Sequence, residues 1–366
     1  MINVFQVVSN KDWTGHEQYA FDLASRLSQD PNYYVEIVCK KSEPVINRFR
    51  RLEVPVSILP LKGVTDLDSP VRFARLLKRG QNVIHVHSFH DAVSAMVAKR
   101  MADNPQVRVV LTLHGVKRRK LNYMTKRVYR EMDRIIFVSE RSRESTMQKL
   151  KLNPPKVQIL SDSVLPAHHT VWQMEEMDIR RHYALKPSQV LIMYHGRLNR
   201  SRGIDTLLHA VTQLDRSTFF LALVGDGQRK TMTRIKGFVV ANNLVRNVAL
   251  LGYSDNVQAL ISQCDMGVLP SIVPEAWSLR NMEYMMAGKA LITTNNGAQT
   301  EYLTNGQNAL LVDPDDVGQL ASAIQSLIAD PALRHNLGQQ AYLDFQSKLN
   351  YDIFYKRMTG IYQSLF

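Results

Sequence analysis

Glu275 and Glu283 are the residues whose types and spacing most directly suggest chemistry. They stand eight positions apart in the stretch SIVPEAWSLRNMEYMMAGKALITTNNGAQTEYL, residues 271–303. That separation is a little over two helical turns, so both carboxylates can point towards the same end of a cleft. The sequence predicts a loop closed by Pro274 and Glu275, a helix starting near Trp277 or Ser278 and running to Ala287, and Gly288 as its stop. A helix start presents free backbone N–H groups, here from about Trp277 to Leu279, and such groups bind anions, phosphate above all. Together these features suit a sugar nucleotide, with Glu275 on sugar hydroxyls, the amides on the diphosphate and Glu283 on the ribose. For either glutamate alone, a helix-terminal charge or an exposed face is the stronger reading.

Other groups stand where apolar runs end. HGRLNRSRG, residues 195–203, carries Arg197 and Arg202 between Gly196 and Gly203. Open α/β sheets bind ligands at the C-terminal ends of their strands, and arginine offers several donors to phosphate oxygens. VGDG, residues 224–227, brings Gly225 into a tight turn after the next run. Thr14-Gly15-His16 follows the first run and opens a helix, so Gly15 would let backbone approach a ligand. A complete G-x-G-x-x-G is absent there, and a dinucleotide fingerprint is not supported. His114 ends LTLHG, in the position where catalytic groups gather in such sheets. His85 and His87 share one face of a strand and His90 is near, but only Asp91 joins them, so no metal site is assigned. KRRKLNYMTKRVYR, residues 117–130, is the densest basic segment and includes Lys117, Arg118, Arg119 and Lys120. It reads as an interfacial helix on anionic lipid, a clamp for an acidic acceptor, a nucleic-acid patch or a solvated helix. The chain contains no Ser-His-Asp arrangement, P-loop, zinc signature or G-x-S-x-G.

These groups need a scaffold. The first half alternates apolar runs at 3–8, 34–39, 56–59, 82–87, 107–114, 134–139 and 157–160 with amphipathic segments such as 17–27, 71–78 and 92–102. Strands rich in Val, Ile and Leu that alternate with helices predict parallel βαβ units. From residue 190 the pattern repeats through VLIMYHG, FFLALVG, VALLGY, MGVLP, ALITT and ALLVD. The prediction is an α/β protein of two doubly wound parallel-sheet domains, 1–165 and 166–349, facing a cleft. The strand-poor stretch 165–185, with His168 and His169, links them. The aromatic-rich segment 349–366 is a helix, which a two-domain cleft enzyme would send back to the first domain.

The 366 residues are 45% hydrophobic and 22% charged, with a formal net charge of +13. Such a balance fits a soluble globular chain that attracts polyanions, whether nucleic acid, acidic membrane or a phosphorylated substrate. No apolar run reaches the roughly 18–20 residues of a membrane span. The first residues carry no signal-peptide pattern. The two cysteines, Cys39 and Cys264, form no disulfide framework or metal set, and a cytoplasmic location is expected.

Taken in order, HGRLNRSRG, LVGDG, LLGY, PEAWSLRNMEYMMAGKALITTNNGAQTEYL and NALLVDPDD resemble the family 4 retaining glycosyltransferases of the GT-B fold. The glutamate pair looks like that family's E-x7-E signature, and the resemblance covers nearly the whole chain. It implies two Rossmann-like lobes, no cofactor and no metal, and a nucleotide-sugar donor of UDP or GDP type. By position, Arg197 and Arg202 would hold the diphosphate, with Arg202 standing where relatives usually have Lys. Glu275 would contact the donor sugar, the amides near Ser278 and Leu279 the distal phosphate, and Glu283 the ribose. Gly15 would back the phosphate from the first domain, and His114 would lie beside the donor sugar. Gly196 and Gly225 would line the donor site, and the base would sit near Gly252 and Tyr253. Thr14-Gly15 stands where relatives often have two glycines, and ILSDSV, from Ile159, where they commonly read IPNGV.

The expected activity is metal-independent transfer with retained anomeric configuration. The acceptor would be a lipid-linked or phosphorylated glycan, such as lipopolysaccharide core, capsule or O-antigen precursor. Lys117 to Lys120 would face that acceptor or the inner membrane surface, making the protein cytoplasmic with a peripheral membrane contact. The rival readings are a soluble or small-molecule acceptor, a GT-B epimerase or phosphorylase, a degenerate non-catalytic subunit and a basic nucleic-acid-binding protein. A nucleic-acid binder should show interleaved aromatics on a sheet or a recognised module, and none is present.

Overall fold

A computed structural model describes residues 1–63, 66–115, 123–150, 156–166 and 177–366. The chain forms two compact units. Residues Met1–Leu165 with Tyr351–Phe366 make the first, and Trp172–Asn350 the body of the second.

The first unit is built on seven strands: β1 (Ile2–Val8), β2 (Tyr33–Cys39), β3 (Val56–Ile58), β4 (Asn82–Val86), β5 (Val107–Leu113), β6 (Arg134–Phe137) and β7 (Val157–Ile159). They lie in the order β3-β2-β1-β4-β5-β6-β7. Every pairing is parallel. Such a sheet must be covered on both faces, which explains why β1 and β4 are buried along their whole length. One face packs Val4, Val8, Leu23, Leu27 and Ile37 against Tyr351, Phe354, Met358 and Tyr362 of the helix Tyr351–Gln363. The other packs Phe5, Val7, Ile84, Val86, Val109 and Leu111 against Phe73, Ala95 and Ala98.

The second unit has six strands: β8 (Val190–His195), β9 (Phe219–Val224), β10 (Val248–Gly252), β11 (Met266–Leu269), β12 (Ala290–Thr294) and β13 (Leu310–Val312). Their order is β10-β9-β8-β11-β12-β13, again all parallel. Both sheets are Rossmann-like, as the strand spacing predicts. In each, the order reverses once, between β1 and β4 in the first and between β8 and β11 in the second. At such a switch point the loops leaving adjacent strands run in opposite directions and open a crevice.

The expected strands all form, some ending a residue or two early: the fourth stops at Val86 and the fifth at Leu113. The predicted helix at 277–287 is Leu279–Met286, with Ser278 as N-cap and Ala287 as C-cap, and Gly288 follows at φ +64°. Within the stretch expected to be a plain linker, Ile179–His182 forms a helical turn, capped by the Asp178 carboxylate. His168, His169 and Lys117 to Lys120 lie outside the described residues.

Candidate functional site

The second unit's switch point gathers most of the singled-out residues. The 195–203 loop leaves β8, and the loop to Glu275 leaves its neighbour β11. The two are stitched by backbone: Ile272 and Val273 N–H groups both donate to the Ser201 carbonyl, at 3.0 and 3.2 Å. Gly203 makes that approach possible. It has φ +71°, and a Cβ there would stand 1.8 Å from the Pro270 carbonyl oxygen. Gly225 plays the same part at the end of β9, with φ +132° and a Cβ position 2.0 Å from the Gly196 carbonyl oxygen.

The stitching puts Arg202 against Glu275. Its Nη1 donates to Glu275 Oε1, and so does Nη2 of Arg280, from the helix Leu279–Met286. Ser271 Oγ donates to the same oxygen at 2.6 Å. Arg280 is further held by the His195 carbonyl and Ser271 Oγ, both at 3.2 Å. Burial alone would raise the Glu275 carboxyl, but the Arg280 and Arg202 guanidiniums outweigh it and hold the group below the ordinary carboxylate range. Burial likewise opposes the charge of Arg280, and Glu275 overcomes it, so the guanidinium is held charged more firmly than usual.

Glu283 lies on the same helix as Arg280. Its Oε2 stands 2.5 Å from His195 Nε2. The other ring nitrogen of His195 faces the Tyr284 hydroxyl at 3.2 Å, and that hydroxyl donates to the Met193 carbonyl at 3.0 Å. The last residue of β8 and the helix are thereby locked together. At the helix start Ser278 makes no side-chain cap. Its carbonyl accepts from the Tyr302 hydroxyl at 3.1 Å. The N-cap side chain therefore does not satisfy the first-turn amides. Arg197 is exposed and makes no ion pair with any described residue. Gly252 closes the end of β10, its carbonyl accepting from Gly225 N–H at 2.6 Å, and the exposed Tyr253 hydroxyl donates to Asp255 at 3.0 Å. Tyr253 thus follows β10, two strands further from the switch point than β8, which Arg197 follows.

In the first unit, Gly15 opens the helix Gly15–Leu27 beneath a capping box of Thr14 and Glu17. No described atom lies within 4 Å of where its Cβ would be, so this turn leaves room beside it. His114 follows β5 and stacks on His16 with ring centroids 4.5 Å apart. Its Nε2 meets His87 Nδ1 at 3.1 Å, and His87 Nε2 meets Gln6 Oε1 at 2.9 Å. His85 lies between the Tyr362 hydroxyl, 2.6 Å from its Nδ1, and Thr112 Oγ1, 2.7 Å from its Nε2. Burial disfavours the imidazolium at all three, lowering His85 to about 3 and His87 and His114 well below their ordinary value. Among the described residues no three His, Cys, Asp or Glu side chains are grouped as a metal site requires.

Sequence reasoning missed Arg280, Ser271 and His195. The signal for Arg280 was present: it lies three positions before Glu283, on the same helix face. Nothing local signals that its side chain reaches back to Glu275.

Known proteins are similar to this chain in sequence and fold. The profile of glycosyl transferases group 1 matches residues 175–344, and that of glycosyltransferase family 4 matches residues 13–164. An uncharacterized glycosyltransferase of Methanocaldococcus jannaschii is 22% identical over 239 residues, 64% of this chain and 60% of that protein. The UDP-Gal:alpha-D-GlcNAc-diphosphoundecaprenol alpha-1,3-galactosyltransferase of Escherichia coli is 22% identical over 331 residues, 84% of this chain and 83% of that protein. The crystal structure of Anabaena Alr3699/HepE in complex with UDP superposes with a TM-score of 0.82 at 17% identity, covering 100% of both chains. The chain spans about 60% of the length of the curated relatives it first matches.

Proposed function

The chain belongs to the family 4 glycosyltransferases of GT-B fold, and on that premise we propose that it transfers a sugar from a nucleoside diphosphate sugar to a glycan acceptor. The observation that carries the reading is the meeting of the two switch-point loops in the second unit, which joins Arg202, Glu275 and an uncapped helix start.

The donor's diphosphate would lie against Arg197, Arg202 and the Ser278 and Leu279 amides. Glu283, steered by His195, would accept from the ribose hydroxyls through its second oxygen. Glu275 would accept from a hydroxyl of the donor sugar. As the bond from the anomeric carbon to the diphosphate breaks, negative charge grows on the leaving oxygen. Fixed guanidinium and amide donors stabilise that charge more than they stabilise the bound donor, which is what lowers the barrier. The acceptor hydroxyl oxygen forms the new bond on the same face, and its proton passes to the departing diphosphate. Configuration is then retained, and no divalent ion takes part. On the resemblance Gly15 and His114 take donor-side roles; within the first unit they stand after β1 and β5, where strands of such a sheet end towards ligands.

The acceptor class is a lipid-linked or phosphorylated glycan, supported by the net charge of +13 and by the lipid-diphosphate acceptor named for the E. coli relative. Among the described residues no helix is long and apolar enough to cross a membrane. Contact with an anionic surface would be peripheral, and co-sedimentation with anionic but not neutral vesicles, lost at high salt, tests it. The function itself is tested by incubating the chain with UDP- and GDP-sugars and undecaprenyl-diphosphate-linked GlcNAc, with EDTA or with magnesium. Transfer in EDTA with an α-linked product supports the reading. Transfer that needs magnesium, or inversion, removes the mechanism. Absence of transfer from every donor removes the acceptor class.

A further inference from the structure

We propose that Glu275 has one permanent and one exchangeable cationic partner: Arg280 holds its charge throughout, while Arg202 passes from Glu275 to the donor's diphosphate when the donor binds. The proposal rests on the reading of this site as a nucleoside diphosphate sugar site.

The two arginines reach the same carboxylate oxygen from different settings. Arg280 has a side chain only 16% exposed. It is also tied to the His195 carbonyl and to Ser271 Oγ. Moving it would strip a buried guanidinium of its carboxylate, carbonyl and hydroxyl partners together, so it stays where it is. Arg202 has a side chain 35% exposed, and Glu275 is its side chain's one partner among the described residues. Its backbone is fixed independently, through the N–H donating to Asn199 Oδ1 at 3.1 Å, so the guanidinium can swing while the loop stays.

A diphosphate offers Arg202 more charge and more acceptor oxygens than a carboxylate that already takes three donors on Oε1. After the exchange Glu275 is still neutralised by Arg280 and still ionised. No described residue donates to Oε2, which remains an acceptor for a sugar hydroxyl. Without Arg280, Glu275 would depend on Arg202 alone and would compete with the diphosphate for it. Arg280 is therefore a positioning residue: it never touches the donor, and its charge releases the one that does.

Calorimetric titration of UDP and GDP into the full chain tests this with a mutant cycle, each variant first checked by thermal melting. In Glu275→Gln, Arg202 loses its internal partner, and the nucleotide that binds the parent should bind about threefold to tenfold more tightly. In Arg280→Met it should bind about tenfold more weakly. The double variant should recover at least the parent's affinity, a rescue that general damage around Arg280 would not give. If Glu275→Gln binds no more tightly than the parent, or fails to rescue Arg280→Met, the exchange is wrong while the site assignment stands. If the parent binds neither nucleotide, the site assignment falls and the exchange with it. Should Arg280→Met fail to fold, the Glu275→Gln comparison alone decides.

Discussion

His195 Nε2 lies 2.5 Å from Glu283 Oε2, joining the last residue of β8 to the helix that starts at the switch point. The contact occupies one carboxylate oxygen, and the proposed reading gives the other to the donor. Glu283→Gln should therefore raise the donor dissociation constant by about tenfold or more, the loss of a charge-assisted hydrogen bond. His195→Asn should raise it less, since it only loosens the carboxylate. Titration of the two variants with the donor checks the order.

Arg202→Ala should cut kcat by about a hundredfold or more, the scale of losing one transition-state donor. The melting temperature should hardly move, because the pair it forms with Glu275 is partly exposed on the Arg202 side. Steady-state kinetics beside a melting curve separate the two effects. Unchanged turnover in a folded protein would remove the role given to Arg202.

Gly203→Ala should cost roughly 2–3 kcal/mol, from a positive φ and a clash with backbone that cannot rotate away. The clashing atom is the Pro270 carbonyl oxygen, 1.8 Å from the added Cβ. Because Gly203 joins the two site loops, nucleotide affinity should fall with stability. Urea unfolding and calorimetry on one preparation test both.

The first unit should be acid-sensitive. His85, His87 and His114 are kept neutral when folded, with their folded values below the ordinary histidine value. The unfolded chain therefore binds more protons as pH falls, so their contribution is complete above about pH 6.5 and declines below it, by at most about 1.4 kcal/mol per pH unit for each. For His85 the decline continues towards pH 3, its value being lowered to about 3. The groups facing these rings are His16, Tyr19, Thr112, Gln6 and Tyr362. An NMR titration should show the His85 ring still neutral at pH 5; titration near 6.5 would contradict this.

Much of this was legible in the sequence because it is local. Apolar runs gave the strands, and the glycine after residue 287 gave the helix end. Period two put His85 and His87 on one face, but their partners Gln6 and Tyr362 are remote; the His85–Tyr362 contact spans 277 positions. Arg280 was passed over because helical periodicity says which face a residue occupies. It does not say that a long cationic side chain will fold back onto a loop carboxylate five residues earlier. β4 stops at Val86, and the ring of the next residue, His87, meets His114 and Gln6, partners that the local pattern does not signal.

The most direct test of the whole account is hydrogen exchange of the full chain with and without saturating UDP or GDP, whichever binds more tightly. The account predicts slowed exchange at backbone amides of 196–203 and 271–280, the two loops joined at Ser201 and the helix start beyond them. Protection confined to other segments, with these amides unchanged, would contradict it.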